Sequence, residues 1–202
     1  MSNKKIKNLI KKQKTICIIG ASRKLGVTHI SLCLANFLGS ALKQKVLYIE
    51  LSEESQLLGV VGENQIKLLN RDVFSYKGVL YALTCDTDTA MSLINNFHGF
   101  VIVDISKYSD KTKVIFNRCE KRIVIGSMKP WCMRDYICLV ELFIERKGGQ
   151  GMKNSYYNLS DNKNEKNAFK KIFNQPLNTL PYIDNPYSLK EENFDSLISI
   201  LE

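Results

Sequence analysis

The chain has 202 residues, a formal net charge of +9 and 45% apolar residues. This length and apolar share exclude a disordered chain and allow a sizeable core, and the lack of a Gly-X-Y period excludes a collagen-like fibre. No purely apolar run exceeds a handful of residues, so no segment is expected to span a bilayer.

Residues 1–14 (MSNKKIKNLIKKQK) hold six Lys and no acid, so most of the excess charge belongs to a tail. A tail of this kind offers contact with DNA, an anionic membrane or an acidic partner, and it also reads as a solvated leader. Ile6, Leu9 and Ile10 would share one helical face. The apolar residues that follow end at Gly20, too early for the core of a secretory signal. Six Cys (17, 33, 85, 119, 132 and 138) contain no CxxC pair and no common zinc spacing. They read as reduced thiols of a cytoplasmic protein. The expected organisation is a basic tail over 1–14 and a single domain over 15–202.

Thr15–Gly20 (TICIIG) is a short β-branched run and predicts a strand buried on both faces. From Gly26 to Leu42, the apolar residues Ile30, Cys33, Leu34, Phe37, Leu38 and Ala41 follow a helical period. Val46–Leu51 (VLYIEL) predicts a second strand. Strand, loop, helix and strand in this order indicate a right-handed crossover in a parallel sheet. Short strands are expected within GENQIKLLNRD and KGVLYALT, and a helix over Asp86–Phe97. Gly99–Ile105 (GFVIVDI) predicts a buried strand, Lys111–Lys121 a helix, Arg122–Gly126 a strand and Trp131–Lys147 a long helix. Ser155–Leu159 (SYYNL) is expected as an edge strand, followed by an irregular surface excursion to Pro186. Ser188 and Glu191 suggest a capping box for a closing helix with Phe194, Leu197, Ile198 and Leu201 on its apolar face. The alternation predicts an α/β fold, a doubly wound and mostly parallel sheet flanked by helices in three layers.

The stretch that carries chemistry is Gly20–Leu38, GASRKLGVTHISLCLANFL. It joins a buried strand to a helix start, the layout of a phosphate-binding loop. Such loops end in Gly-Lys-Ser/Thr, where Lys reaches the terminal phosphates and the hydroxyl ligates magnesium. Read backwards from Thr28, Gly26 takes the second glycine, Val27 stands where Lys belongs and Ala21 replaces the first glycine.

Together with two further segments, this stretch resembles the MinD/ParA family of deviant Walker-A P-loop ATPases, and within it TadZ/CpaE-type proteins. The pattern KGGxGK[ST][ST], followed by an apolar helix with LA, falls on SRKLGVTHISLCLANFL with Gly26, Thr28, Leu34 and Ala35 matched. His29 replaces the second hydroxyl residue, and Ser22 the signature lysine that reaches a dimer partner's nucleotide. VLYIELSEES is similar to the family's VLLIDxDxQ, with Glu50 and Ser52 where aspartates are usual. FVIVDIS is similar to the second Walker motif, with Asp104 as the magnesium-side acid. RIVIGSMKPWCMRDYICLVELF and FNQPLNTLPYIDNP follow in the family's order, and Asn158 stands near an adenine-reading Asn.

The resemblance implies a nucleotide site formed by Ser22, Arg23, Lys24, Leu25, Gly26, Val27, Thr28, His29 and Asn158. Magnesium would be held by Thr28 and Asp104, with Glu50 and Asp104 as catalytic candidates. The missing lysines imply weak or absent binding of ATP or ADP with Mg and little or no hydrolysis, since one well-aimed charge donor commonly carries ~10²–10³ in rate. The chain then reads as a scaffold or positioning factor with a protein partner, in the cytoplasm or peripheral at the inner face of the membrane. Face-to-face homodimerisation is the family's habit. Two other readings stay open: an active ATPase using Arg23 or Lys24 in place of the lysine, and a basic-tailed DNA or membrane adaptor with a non-binding core.

Overall fold

The computed structural model describes residues 15–55, 57–144 and 154–202. Residues 1–14, the subject of the tail reading, lie outside them. The first half runs β1 (Thr15–Gly20), α1 (Val27–Asn36) with a π-helical turn (Phe37–Ala41), β2 (Val46–Leu51), the short α2 (Leu58–Val61), β3 (Gln65–Leu68), β4 (Arg71–Tyr76) and β5 (Val79–Ala82). The second half runs α3 (Thr87–Asn96), β6 (Phe100–Ile105), α4 (Asp110–Arg118), β7 (Lys121–Gly126), α5 (Pro130–Ile144), β8 (Asn154–Asn158), α6 (Lys163–Phe173), β9 (Leu177–Thr179), a 3-10 turn (Glu191–Asn193) and α7 (Phe194–Leu201).

The nine strands of the described residues join one sheet in the order β3-β4-β5-β2-β6-β1-β7-β8-β9. The β3–β4 and β4–β5 pairs are antiparallel and the others parallel. β1, β2, β6 and β7 are almost wholly buried, as strands covered on both faces must be. One core lies between the sheet and α1, its π-helical turn and α7, built on Ile16, Ile18, Leu34, Phe37, Ile102 and Leu197. The other lies beneath α3, α4, α5 and α6, built on Cys17, Val103, Leu93, Phe116, Tyr136 and Phe169. The fold is therefore a three-layer α/β sandwich with a mostly parallel sheet.

Four local expectations are corrected. β4 is a separate strand, because Lys77 and Gly78 both take positive φ (46° and 79°) and reverse the chain between Tyr76 and Val79. Asn154–Asn158 is not an edge strand, since β9 pairs outside it at Tyr156↔Leu177. The stretch before Pro186 is not irregular throughout: it holds α6 and β9. α6 is mostly polar and docks through a narrow stripe headed by buried Phe169, while the Asn162 side chain caps its first turn. Ser188 does not cap the closing helix. The chain enters it through the 3-10 turn, where Asn193 Oδ1 accepts from the Lys190 backbone N–H at 3.0 Å. All six cysteines are free thiols. Among the described residues no helix is long and apolar enough to cross a membrane.

Candidate functional site

The parallel register sets the site. Glu50 lies beside Asp104 across β2–β6, and Asp104 beside Ile18 across β6–β1. Register partners on parallel strands face the same side, so both acids point to the layer that holds α1. The loop after β1 returns the chain to the same end of the sheet.

That loop is anchored at its start, where the Ala21 backbone N–H donates to the Ile125 carbonyl at 2.9 Å. Ser22 is half-buried, and Arg23 and Lys24 are exposed. Leu25 is 5% exposed and joins the core. Lys24 (φ 64°) and Gly26 (φ 82°) both take left-handed backbone, and glycine allows the second turn without strain. Among the described residues no side chain caps the N-terminus of α1, and Ile30 N–H donates to the Gly26 carbonyl at 2.9 Å. Val27 turns back over the loop: a Cβ built on Gly20 would lie 2.7 Å from Val27 Cγ2.

Thr28, in the first turn of α1, turns its hydroxyl toward Asp104. The Tyr48 hydroxyl donates to Asp104 Oδ2 at 2.7 Å. Asp104 is 3% exposed and its pKa is raised by burial, against the pull of these two hydroxyls. Glu50 is also buried, and burial and then the neighbouring Asp104 raise its pKa. The Ser55 and Ser52 hydroxyls and the Thr84 backbone offset part of that rise. Among the described residues Glu50 Oε2 has no hydrogen-bond partner. The structure thus gathers Thr28, Asp104 and Glu50 around one point at the head of α1. Two neighbouring carboxylates, one of them beside a threonine hydroxyl, make an oxygen donor set that suits magnesium.

The remaining predicted residues lie around this point in different ways. His29 Nε2–H donates to the Ile183 carbonyl at 2.6 Å, tying α1 to the segment before α7; a carbonyl can only accept, so this nitrogen carries the proton. Asn158 is 0% exposed and its amide is committed internally. Its Oδ1 accepts from Met128 N–H at 3.0 Å, and its Nδ2 donates to Glu165 Oε2 at 2.6 Å and to the Ser160 carbonyl at 3.1 Å. Tyr48 escaped the sequence reading because it sits in an apolar run as one more large residue. Its one legible signal was a hydroxyl two positions before Glu50 on the same strand face.

No family model matches the sequence, and no curated protein sequence matches it significantly. Solved structures do match in fold. MinD of Pyrococcus horikoshii, complexed with Mg-ADP, is 13% identical with a TM-score of 0.65, covering 93% of this chain and 94% of its own. A putative plasmid partition protein of Borrelia burgdorferi B31, bound to AMPPNP, is 11% identical with a TM-score of 0.65 and covers 95% and 97%. A ParA family ATPase of Chlorobium tepidum TLS is 10% identical with a TM-score of 0.63 and covers 94% and 89%. Across nearly its whole length, this chain has the fold of the MinD and ParA ATPases.

Proposed function

We propose that the chain is a MinD/ParA-like scaffold or positioning protein that holds ATP or ADP weakly, with magnesium, and hydrolyses it little or not at all. One observation carries this reading: the head of α1 keeps Thr28 against Asp104, while the preceding residue, Val27, turns a methyl onto Gly20 where the resemblance places a lysine. Magnesium, when bound, would neutralise phosphate charge. Thr28 and Asp104 are the residues that would hold it, with Glu50 beside them. The left-handed turn at Gly26 and the uncapped first turn of α1 would receive phosphate oxygens through backbone amides. The Val27 side chain supplies neither charge nor hydrogen bond, so binding rests on amides and metal, and the transition state lacks the side-chain cation that a lysine there would bring. Nucleotide-bound neighbours such as the Mg-ADP complex of MinD support the ligand class, and the MinC:MinD complex of Aquifex aeolicus supports a protein partner. In this reading the protein is cytoplasmic, with a homodimer as its working assembly and residues 1–14 as a contact to DNA or anionic membrane.

Calorimetry with ATP and ADP, with and without magnesium, tests the binding half. The expected result is weak, magnesium-dependent heat with no turnover. Strong turnover that disappears in Arg23→Ala or Lys24→Ala would establish the active-ATPase alternative, for which both side chains are suitably exposed. No binding of either nucleotide, with salt-sensitive DNA or vesicle binding lost on deleting residues 1–14, would establish the adaptor.

A further inference from the structure

Two buried carboxylates, Glu50 and Asp104, lie side by side on β2 and β6. Among the described residues neither forms an ion pair; their polar neighbours are the hydroxyls of Thr28, Tyr48, Ser52 and Ser55 and the backbone of Thr84. Paired buried acids without a cation are expensive, and such sites usually contain a metal ion or share a proton. The group that meets Asp104 here is Tyr48. Its ring is fully buried, tilted against Tyr81 at a centroid distance of 5.4 Å, and so fixed that its hydroxyl donates to Oδ2 at 2.7 Å. Glu50 Oε2, on the same side, has no hydrogen-bond partner among the described residues.

We propose that, while no nucleotide is bound, the Tyr48 hydroxyl supplies at Asp104 the compensation a divalent cation would otherwise give, making the nucleotide-free folded chain independent of metal, and that removing it turns Thr28, Glu50 and Asp104 into a metal-requiring centre. A phenol proton aimed at Oδ2 supplies part of the positive potential that an ion would supply, and needs no ion to be recruited. Deleting only the oxygen leaves the ring in place, a space about the size of one oxygen, and two carboxylates whose cheapest remaining compensation is a hard cation with oxygen ligands. The proposal rests on the same Thr28–Asp104 geometry as the nucleotide reading, but its test uses no nucleotide, so either can fail alone.

The experiment compares thermal melts of the native chain, Tyr48→Phe and Tyr48→Phe/Asp104→Asn in chelator-treated buffer, in millimolar magnesium chloride, and in sodium chloride of equal ionic strength. The native Tm is expected to be the same in all three. Tyr48→Phe is expected to melt about 5 °C lower without metal, as for the loss of one hydrogen bond to a buried charged group. Magnesium restores it saturably and sodium does not. The double variant shows no magnesium response. Manganese, followed by its electron spin resonance signal, is expected to bind Tyr48→Phe at least tenfold more tightly than the native chain. If Tyr48→Phe does not fold in chelator-treated buffer, refolding with magnesium is expected to recover it. A Tyr48→Phe deficit untouched by magnesium, or a native Tm that rises with magnesium as much as the variant's, overturns the proposal; so does failure to refold with the ion.

Discussion

A methyl of Val27 faces the α-carbon of Gly20, so close that a Cβ added to Gly20 would lie 2.7 Å from it and 3.2 Å from the Ser22 carbonyl oxygen. The two residues bracket the loop, and their contact closes it from within. Gly20→Ala must therefore displace Val27 or the loop backbone, at a cost of about 1–3 kcal/mol in urea denaturation. Val27→Ala in the same background removes the opposing methyl and is expected to recover most of the loss. Strict additivity of the two changes would show that the contact is not what makes glycine necessary.

Val27→Lys is the complementary change. If amides and metal alone hold phosphate in the native chain, a lysine at the head of α1 adds a charge-assisted hydrogen bond. Calorimetry should then show ATP binding at least about tenfold tighter, equivalent to ~1.4 kcal/mol. Turnover should remain low, because Ser22 stands where the second lysine of the resembled pattern belongs.

Glu50 gives the stability a pH signature. Burial raises its folded-state pKa above the ordinary 4.5 of a free glutamate. Between the two values the folded chain holds a proton that the unfolded chain has released. Its contribution to stability is therefore complete below the unfolded value and is lost as pH rises through the folded one. Glu50→Gln, which never ionises, is expected to be equal to the native chain near pH 4 and more stable by about 1 kcal/mol at pH 7. Urea melts across this range give the result; a difference that does not change with pH would contradict it.

Asn158 bridges the β7–α5 connection and the start of α6 through Met128 N–H, Ser160 and Glu165. Asn158→Ala leaves a buried amide N–H and a carboxylate short of partners, at a cost of about 2 kcal/mol. If Asn158 also reads a base, the variant will lose discrimination between ATP and GTP. If its amide is wholly committed to these internal bonds, whatever selectivity the chain has will be unchanged while stability falls.

His29→Ala frees the Ile183 carbonyl and loosens the segment between β9 and the 3-10 turn. Limited proteolysis within residues 180–187 should accelerate several-fold. The global unfolding energy should fall by no more than about 1 kcal/mol, the net worth of one hydrogen bond.

Local pattern in the sequence determined much of this protein. Short continuous apolar runs placed β1, β2, β6 and β7, and period-3.6 stripes placed α1, α3, α4 and α5, because strands covered on both faces are apolar throughout and helices with one buried face repeat every 3.6 residues. The same reading put Thr28 at a helix start and Asp104 at a strand end, and showed that no lysine precedes Thr28. Tertiary structure decided the rest. The sheet order brought Glu50 beside Asp104, which lies 54 residues further on, and no local period encodes that pairing. Burial turned Tyr48 from an apolar-looking strand residue into the hydrogen-bond partner of Asp104 and sealed Asn158 inside a network of its own. α6 and β9 were illegible because their short, mostly polar segments form on a sheet already built, so that packing rather than intrinsic periodicity holds them.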